Sequence, residues 1–138
     1  MQVLYTTTAH ATGEGRNGHV QSDDGIIDTD VRIPKEMGGT GGATNPEQLF
    51  AAGYAACFHS ALKLVAAREG VDATGSEVSA SVSIGSLDSG GFGLAVELDL
   101  SVPAADRATA ETVVAKAHEV CPYSNATRGN VEVALSVV

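Results

Sequence analysis

The sequence predicts an α+β fold in which two main helices cover a mostly antiparallel sheet. Three observations predict it. The first third of the chain carries short runs rich in β-branched residues with partial alternation. A long Ala-rich segment with helical spacing follows. The remainder reads as an alternating hairpin, a second helix and a last alternating strand. A chain of 138 residues is of ordinary domain size, so residues 1–138 are read as one domain with its own core.

The elements are justified in order. VLYTTT (3–8), HVQSD (19–23) and IIDTDVRI (26–33) read as strands. DDG at 23–25 is a hairpin turn between the last two, and EGRNG at 14–18 is a Gly-bracketed turn that holds Arg16. MGGTGGAT (37–44) is a Gly-rich loop without the Lys-Ser/Thr ending of a phosphate-binding loop, so nucleotide binding is not expected. The first helix has Asn45 as N-cap, Pro46 at its first position, Gln48 placed for a capping box and Gly70 as its stop. Phe50, Gly53, Tyr54, Cys57, Ala61 and Leu64 share one face by spacing, and the run from Leu49 to Ala61 is apolar enough for burial on most sides.

SEVSASVSIG (76–85) and FGLAVELDLSV (92–102) alternate strictly, with LDSGG (87–91) as their turn. Val78, Ala80, Val82 and Ile84 face one way, as do Leu94, Val96, Leu98, Leu100 and Val102. The second helix is expected from Pro103 or Ala104 to Glu119, with Ala108, Val113, Val114 and Ala117 on its apolar side. CPYSNATRGN (121–130) reads as a connection, and VEVALSVV (131–138) as the last strand.

Composition narrows the function. Hydrophobic residues make up 43% and charged residues 18%, a globular balance. The net charge of −9, with only 8 Lys and Arg, argues against nucleic acid and anionic membrane surfaces as partners. No uninterrupted run of about 18 apolar residues occurs, so no membrane span is expected. MQVLYTTTAH has no basic segment followed by an apolar one, so a cytoplasmic location is expected by default. Two cysteines outside a CxxC arrangement suggest neither a disulfide scaffold nor a zinc site. His10, His19, His59 and His118 show no ligand spacing.

Cys57 and Cys121 leave three readings open: core filling, a structural disulfide, or a redox pair. A reducing compartment disfavours a static disulfide. Core filling is the common fate of a free cysteine on an apolar helix. A working thiolate at Cys57 needs a cation, because burial raises a thiol's pKa and this residue lies about three turns from the helix N-terminus. Arg16 is one source, its flanking Gly15 and Gly18 leaving the backbone free to aim it inward; a solvated turn residue is the other reading. Glu47, in the first helical turn, complements the helix dipole in any case.

TNPEQLFAAGYAACF (44–58) and VCPYSNATRGN (120–130) resemble the two signature blocks of the organic hydroperoxide resistance proteins, a branch of the OsmC-like superfamily. The resemblance covers essentially the whole chain, with the GRNGHV turn, the NPEQLF helix start, the mid-helix cysteine and the terminal block in order. It implies an OsmC-like fold in an intertwined homodimer, with active sites at the subunit interface. The implied activity is thiol-dependent reduction of organic hydroperoxides, as protection against oxidative stress. In that scheme Cys57 is the peroxidatic cysteine, Cys121 the resolving cysteine, and Arg16 and Glu47 the activating pair. The resemblance further implies that no cofactor is bound and that dihydrolipoyl groups on a lipoylated partner protein supply the reducing equivalents.

Helix geometry sharpens one expectation. Glu47 and Cys57 are ten positions apart, about 15 Å along a straight helix, too far for one Arg side chain to touch both. A shared site, in which Glu47 serves the partner chain and two copies of the helix run antiparallel, is therefore expected. A separation of Arg16 and Glu47 above about 8 Å would exclude their clamp. Two other readings use the same cysteines: a disulfide reductase, against which the missing CxxC argues, and a non-catalytic redox-sensing or ligand-binding module.

Overall fold

The computed structural model describes residues Met1 to Val138, and the chain separates into two units, Met1–Leu49 and Phe50–Val138. The first unit is built on a hairpin. Gly15, at φ +62°, and Arg16 form a two-residue turn between β1 (Ala9–Glu14) and β2 (Asn17–Ser22). The pairing runs from Glu14↔Asn17 at the turn to Ala9↔Ser22. β3 (Asp28–Asp30) adds an antiparallel third strand, giving the order β1-β2-β3.

Two strand expectations fail here. Residues 3–8 form no strand, and Val3, Leu4 and Tyr5 are exposed, because within one chain their backbone finds no ladder partner. The 26–33 strand shrinks to three residues. Ser22 and Asp24 tie down the amides of Ile27 and Ile26, which holds the turn open past its expected end. Beyond Asp30 the strand gives way to single ties: the Val31 amide donates to the Gly18 carbonyl at 3.0 Å, and an isolated bridge joins Val31 to Thr44.

α1 (Pro46–Glu69) begins in the first unit and continues in the second. Its start follows the capping rule: the Asn45 Oδ1 accepts from the Gln48 amide at 2.9 Å. The capping box does not close, since the Gln48 Oε1 accepts instead from the Thr44 hydroxyl. Gly70, at φ +68°, ends the helix, and the Val71 amide returns to the Ala66 carbonyl at 2.8 Å.

The core of the second unit lies between α1, α2 (Arg107–Val120) and a sheet of β4 (Glu77–Ser86), β5 (Phe92–Ser101) and β6 (Glu132–Val137). Its order is β4-β5-β6, antiparallel between β4 and β5 and parallel between β5 and β6. The inward side chains of β5, Val96, Leu98 and Leu100, are fully buried. They face Tyr54, Phe58, Leu62 and Val65 of α1 and Val113 and Val114 of α2 within one cluster. Each such aliphatic or aromatic side chain contributes about 1.5–3 kcal/mol by burial.

The buried stripe of α1 is Tyr54, Phe58, Ala61, Leu62, Val65 and Ala66, turned away from the expected one. Leu64 is 46% exposed, and Ala52, Ala56 and Ser60 face outward, so the helix is buried on one side rather than most. By length and composition α1 would suffice to cross a membrane, although no uninterrupted apolar run suggested it; its inner stripe is packed in the protein core. α2 starts later than expected because Asp106 caps it, accepting from the Thr109 amide at 2.9 Å. That start places Ala110, rather than Ala108, inward. The expected connection after Cys121 contains a short helix, α3 (Pro122–Thr127).

Candidate active site

In the first unit the hairpin tip and the start of α1 bring Arg16 to Glu47. The guanidinium donates twice to the carboxylate, Nη1 to Oε2 at 2.8 Å and Nη2 to Oε1 at 2.7 Å. This is a bidentate fork, far inside the 8 Å limit, and it forms within one chain. Glu47's side chain is only 13% exposed, which separates the pair from a loose surface contact. The hydrogen bond from Arg16 holds the Glu47 pKa below the usual carboxylate range against the opposing effect of burial. The same bond raises the Arg16 pKa. Both groups are therefore charged at neutral pH. The contribution of the pair is present above the ordinary glutamate pKa and is lost as pH falls through the lowered one.

In the second unit α1 carries Cys57, and the α2–α3 junction carries Cys121. Cys121 belongs to both helices: its amide closes α2 on the Ala117 carbonyl at 2.9 Å, and its own carbonyl accepts from Asn125 in α3 at 2.9 Å. Pro122, lacking an N–H, suits the first position of α3 and fixes the change of direction. The two Sγ atoms are 3.7 Å apart. Both thiols are free; Cys121 is completely buried and Cys57 half-buried.

Cys57 opens on a groove of about 370 Å³ lined by Ser60, Ala61, Leu64, Val120 and Pro122. Its walls are largely aliphatic, so an apolar chain lying there would reach the sulfur. Burial pushes the Cys57 thiol pKa above its ordinary value, the Tyr123 backbone N–H pulls it down, and Cys121 adds to the rise. None of these influences is a cation. The thiol of a single copy is thus mainly protonated at neutral pH, and the N–H of Tyr123 is a ready donor to the thiolate once one forms.

Several residues around the pair were not singled out by the sequence. Tyr123 lies over Gly53, where a Cβ would come within 2.8 Å of its hydroxyl oxygen, and it clusters with Phe50 and Tyr54. Ser124 and Thr127 hydrogen-bond the buried Tyr54 hydroxyl, and His118 hydrogen-bonds Ser124. Pro122 directly after the end of α2 is the available signal for α3, since proline favours a helix's first position. The other histidines pair elsewhere: His10 with Asp23, His19 with Asp28 and Asp30, His59 with Ser76. No group of three His, Cys, Asp or Glu is placed to hold a metal.

Residues 39–136 match the OsmC-like protein family. The organic hydroperoxide resistance protein of Xanthomonas axonopodis pv. citri (strain 306) is 54% identical over 138 residues, covering 99% of this chain and 96% of the relative. Among solved structures, the organic hydroperoxide resistance protein of Legionella pneumophila superposes with a TM-score of 0.94 at 53% identity, covering 99% of this chain and 98% of that one. The organic hydroperoxide resistance protein of Elizabethkingia anophelis gives the same TM-score, identity and coverages.

Proposed function

The chain belongs to the OsmC-like family, within its organic hydroperoxide resistance branch, and on that footing we propose that it is a cysteine-dependent peroxidase for organic hydroperoxides. The single observation that carries the chemistry is the 3.7 Å approach of two free thiols, one buried and one open to an aliphatic groove.

The Cys57 thiolate attacks the terminal oxygen of ROOH. The O–O bond breaks, the alkoxide takes a proton and leaves as ROH, and Cys57 becomes a sulfenic acid. Cys121 then attacks the sulfenic sulfur. An S–S bond forms, and the hydroxyl leaves as water with the Cys121 proton. The sulfur atoms must close by about 1.7 Å to reach disulfide length. A dithiol of the dihydrolipoyl type attacks the disulfide through a mixed intermediate, restoring both thiols and leaving its own disulfide. Burying a hydrophobic tail in the groove favours alkyl and fatty-acid hydroperoxides by about 0.8 kcal/mol per CH₂ over hydrogen peroxide.

Activation of Cys57 falls to Arg16, held in its fork by Glu47, and supplied by the second copy of a homodimer. Two features support that assignment. Ten helical positions separate Glu47 from Cys57, and Leu64 and Val120, 46% and 42% exposed, leave apolar surface beside the groove. The unpaired apolar segment at Val3, Leu4 and Tyr5 is a second surface available to a partner copy. A cytoplasmic setting, with reduced thiols and lipoylated proteins, suits the cycle.

Steady-state kinetics with a lipoyl reductant test this reading. The expected result is many turnovers per chain and a kcat/KM for a fatty-acid hydroperoxide at least about 100-fold above that for hydrogen peroxide, as burial of a few methylenes requires. Oxidation that stops after one event per chain would favour the redox-sensing reading instead.

A further inference from the structure

Around the Tyr54 hydroxyl the structure holds a hydrogen-bond chain whose direction can be worked out. The Thr127 hydroxyl donates to the Ser124 carbonyl at 3.1 Å, which uses its one proton. Towards Tyr54 it is therefore the acceptor, and the Tyr54 hydroxyl donates to it at 3.1 Å. The Tyr54 oxygen must then accept from the Ser124 hydroxyl at 2.9 Å. Ser124, its own proton used, accepts from the His118 Nδ1–H at 2.8 Å. The chain runs one way, from His118 through Ser124 and Tyr54 to Thr127, and no buried side-chain polar atom is left without a partner. Tyr54, Ser124 and Thr127 are all at least 97% buried, so water cannot replace a missing member.

The placement of these residues ties the chain to the thiols. Tyr54 lies three positions before Cys57 on α1, Ser124 three positions after Cys121 on α3, and His118 three positions before Cys121 on α2. Three positions are about one helical turn. The chain thus joins the turn that carries one sulfur to the turns on both sides of the other. α3, with six residues, has too few internal bonds to orient itself.

We propose that Tyr54 is a positioning residue for disulfide closure: its hydroxyl, through Ser124, Thr127 and His118, locks α3 so that the Cys121 sulfur faces Cys57. The lock decides whether a Cys57 sulfenic acid closes to the disulfide, releasing water, or meets a second ROOH and becomes a sulfinic acid, releasing a second ROH. This inference rests on the peroxidase reading above.

The test uses the reduced full-length protein and cumene hydroperoxide, following the rate of Cys57 oxidation and, by intact mass, the share of disulfide against sulfinic acid. Tyr54→Phe and the near-isosteric Thr127→Val remove one hydroxyl each. Both are expected to oxidise Cys57 within about threefold of the parent rate but to close the disulfide about tenfold more slowly, with sulfinic acid accumulating. Thr127→Ser, which keeps the hydroxyl, is expected to restore closure. Val113→Ala, a core change in α2 outside the chain, is expected to lower Tm without altering the partition. Closure at the parent rate in both hydroxyl-deleted variants would overturn the proposal, as would an equal loss of closure in Val113→Ala. A parent protein that forms no disulfide at all would overturn the peroxidase reading itself, and this inference with it.

Discussion

Cys57→Ser is expected to abolish turnover of organic hydroperoxides, lowering kcat/KM by on the order of 10³-fold or more. The argument is chemical. Peroxide reduction needs a nucleophile that accepts an oxygen atom and gives it up again. A thiolate does so through a sulfenic acid, whereas a serine hydroxyl is a weak nucleophile and has no such oxidation state. The fold should survive, because Cys57 is half-buried at the edge of the core cluster and serine is nearly the same size. Retained Tm with lost activity, read by calorimetry and peroxide consumption, is the expected pattern. Cys121 offers no substitute: it is completely buried and does not line the groove.

Arg16→Ala is expected to raise the Cys57 pKa further in the proposed homodimer and to slow peroxide reaction at pH 7 by on the order of 10- to 100-fold. The sign follows from the thiol's surroundings. Burial already pushes its pKa up, and the Tyr123 N–H alone opposes that. Removing a cation leaves the rise uncorrected, so the rate in Arg16→Ala should climb with pH through a range where the parent has levelled off. Arg16→Lys keeps the charge but loses the two-pronged bond to Glu47, and should fall between the two. Iodoacetamide alkylation of Cys57 across pH reads the thiol pKa directly. Identical profiles for the parent and Arg16→Ala would remove Arg16 from the mechanism.

Local rules made much of the fold legible. Asn45, Pro46 and Gly70 mark the ends of α1 because capping and helix stops depend on a few neighbouring residues. The β4–β5 hairpin shows because both strands alternate and a Gly-rich turn joins them. What depends on distant partners was harder to read. Residues 3–8 have a strand's composition, but only Thr8, whose carbonyl accepts from the Asp23 amide, finds a partner in one chain. α1 is apolar nearly all round, so spacing alone did not separate the Phe58–Leu62–Val65 stripe from the Gly53–Cys57–Leu64 one. β6 alternates like an antiparallel strand, yet pairs parallel to β5 because the α2–α3 passage returns it to the starting end.

The site divides in the same way. Cys57, Cys121, Arg16 and Glu47 stand out in two short blocks and one turn. The two pairings, thiol with thiol and Arg16 with Glu47, do not, since 64 positions separate the sulfurs and 31 the fork. The hydroxyl chain was invisible, because Tyr54 and Ser124 are 70 positions apart and neither bears an unusual group.

The most direct measurement is a single turnover. Reduced protein receives one equivalent of cumene hydroperoxide without reductant; cumyl alcohol is quantified, and the products are mapped by peptide mass spectrometry. The account predicts one alcohol per chain, loss of both thiols, and a Cys57–Cys121 link within the chain. Peroxide consumed with Cys121 still a free thiol, or a link only between copies, would contradict it.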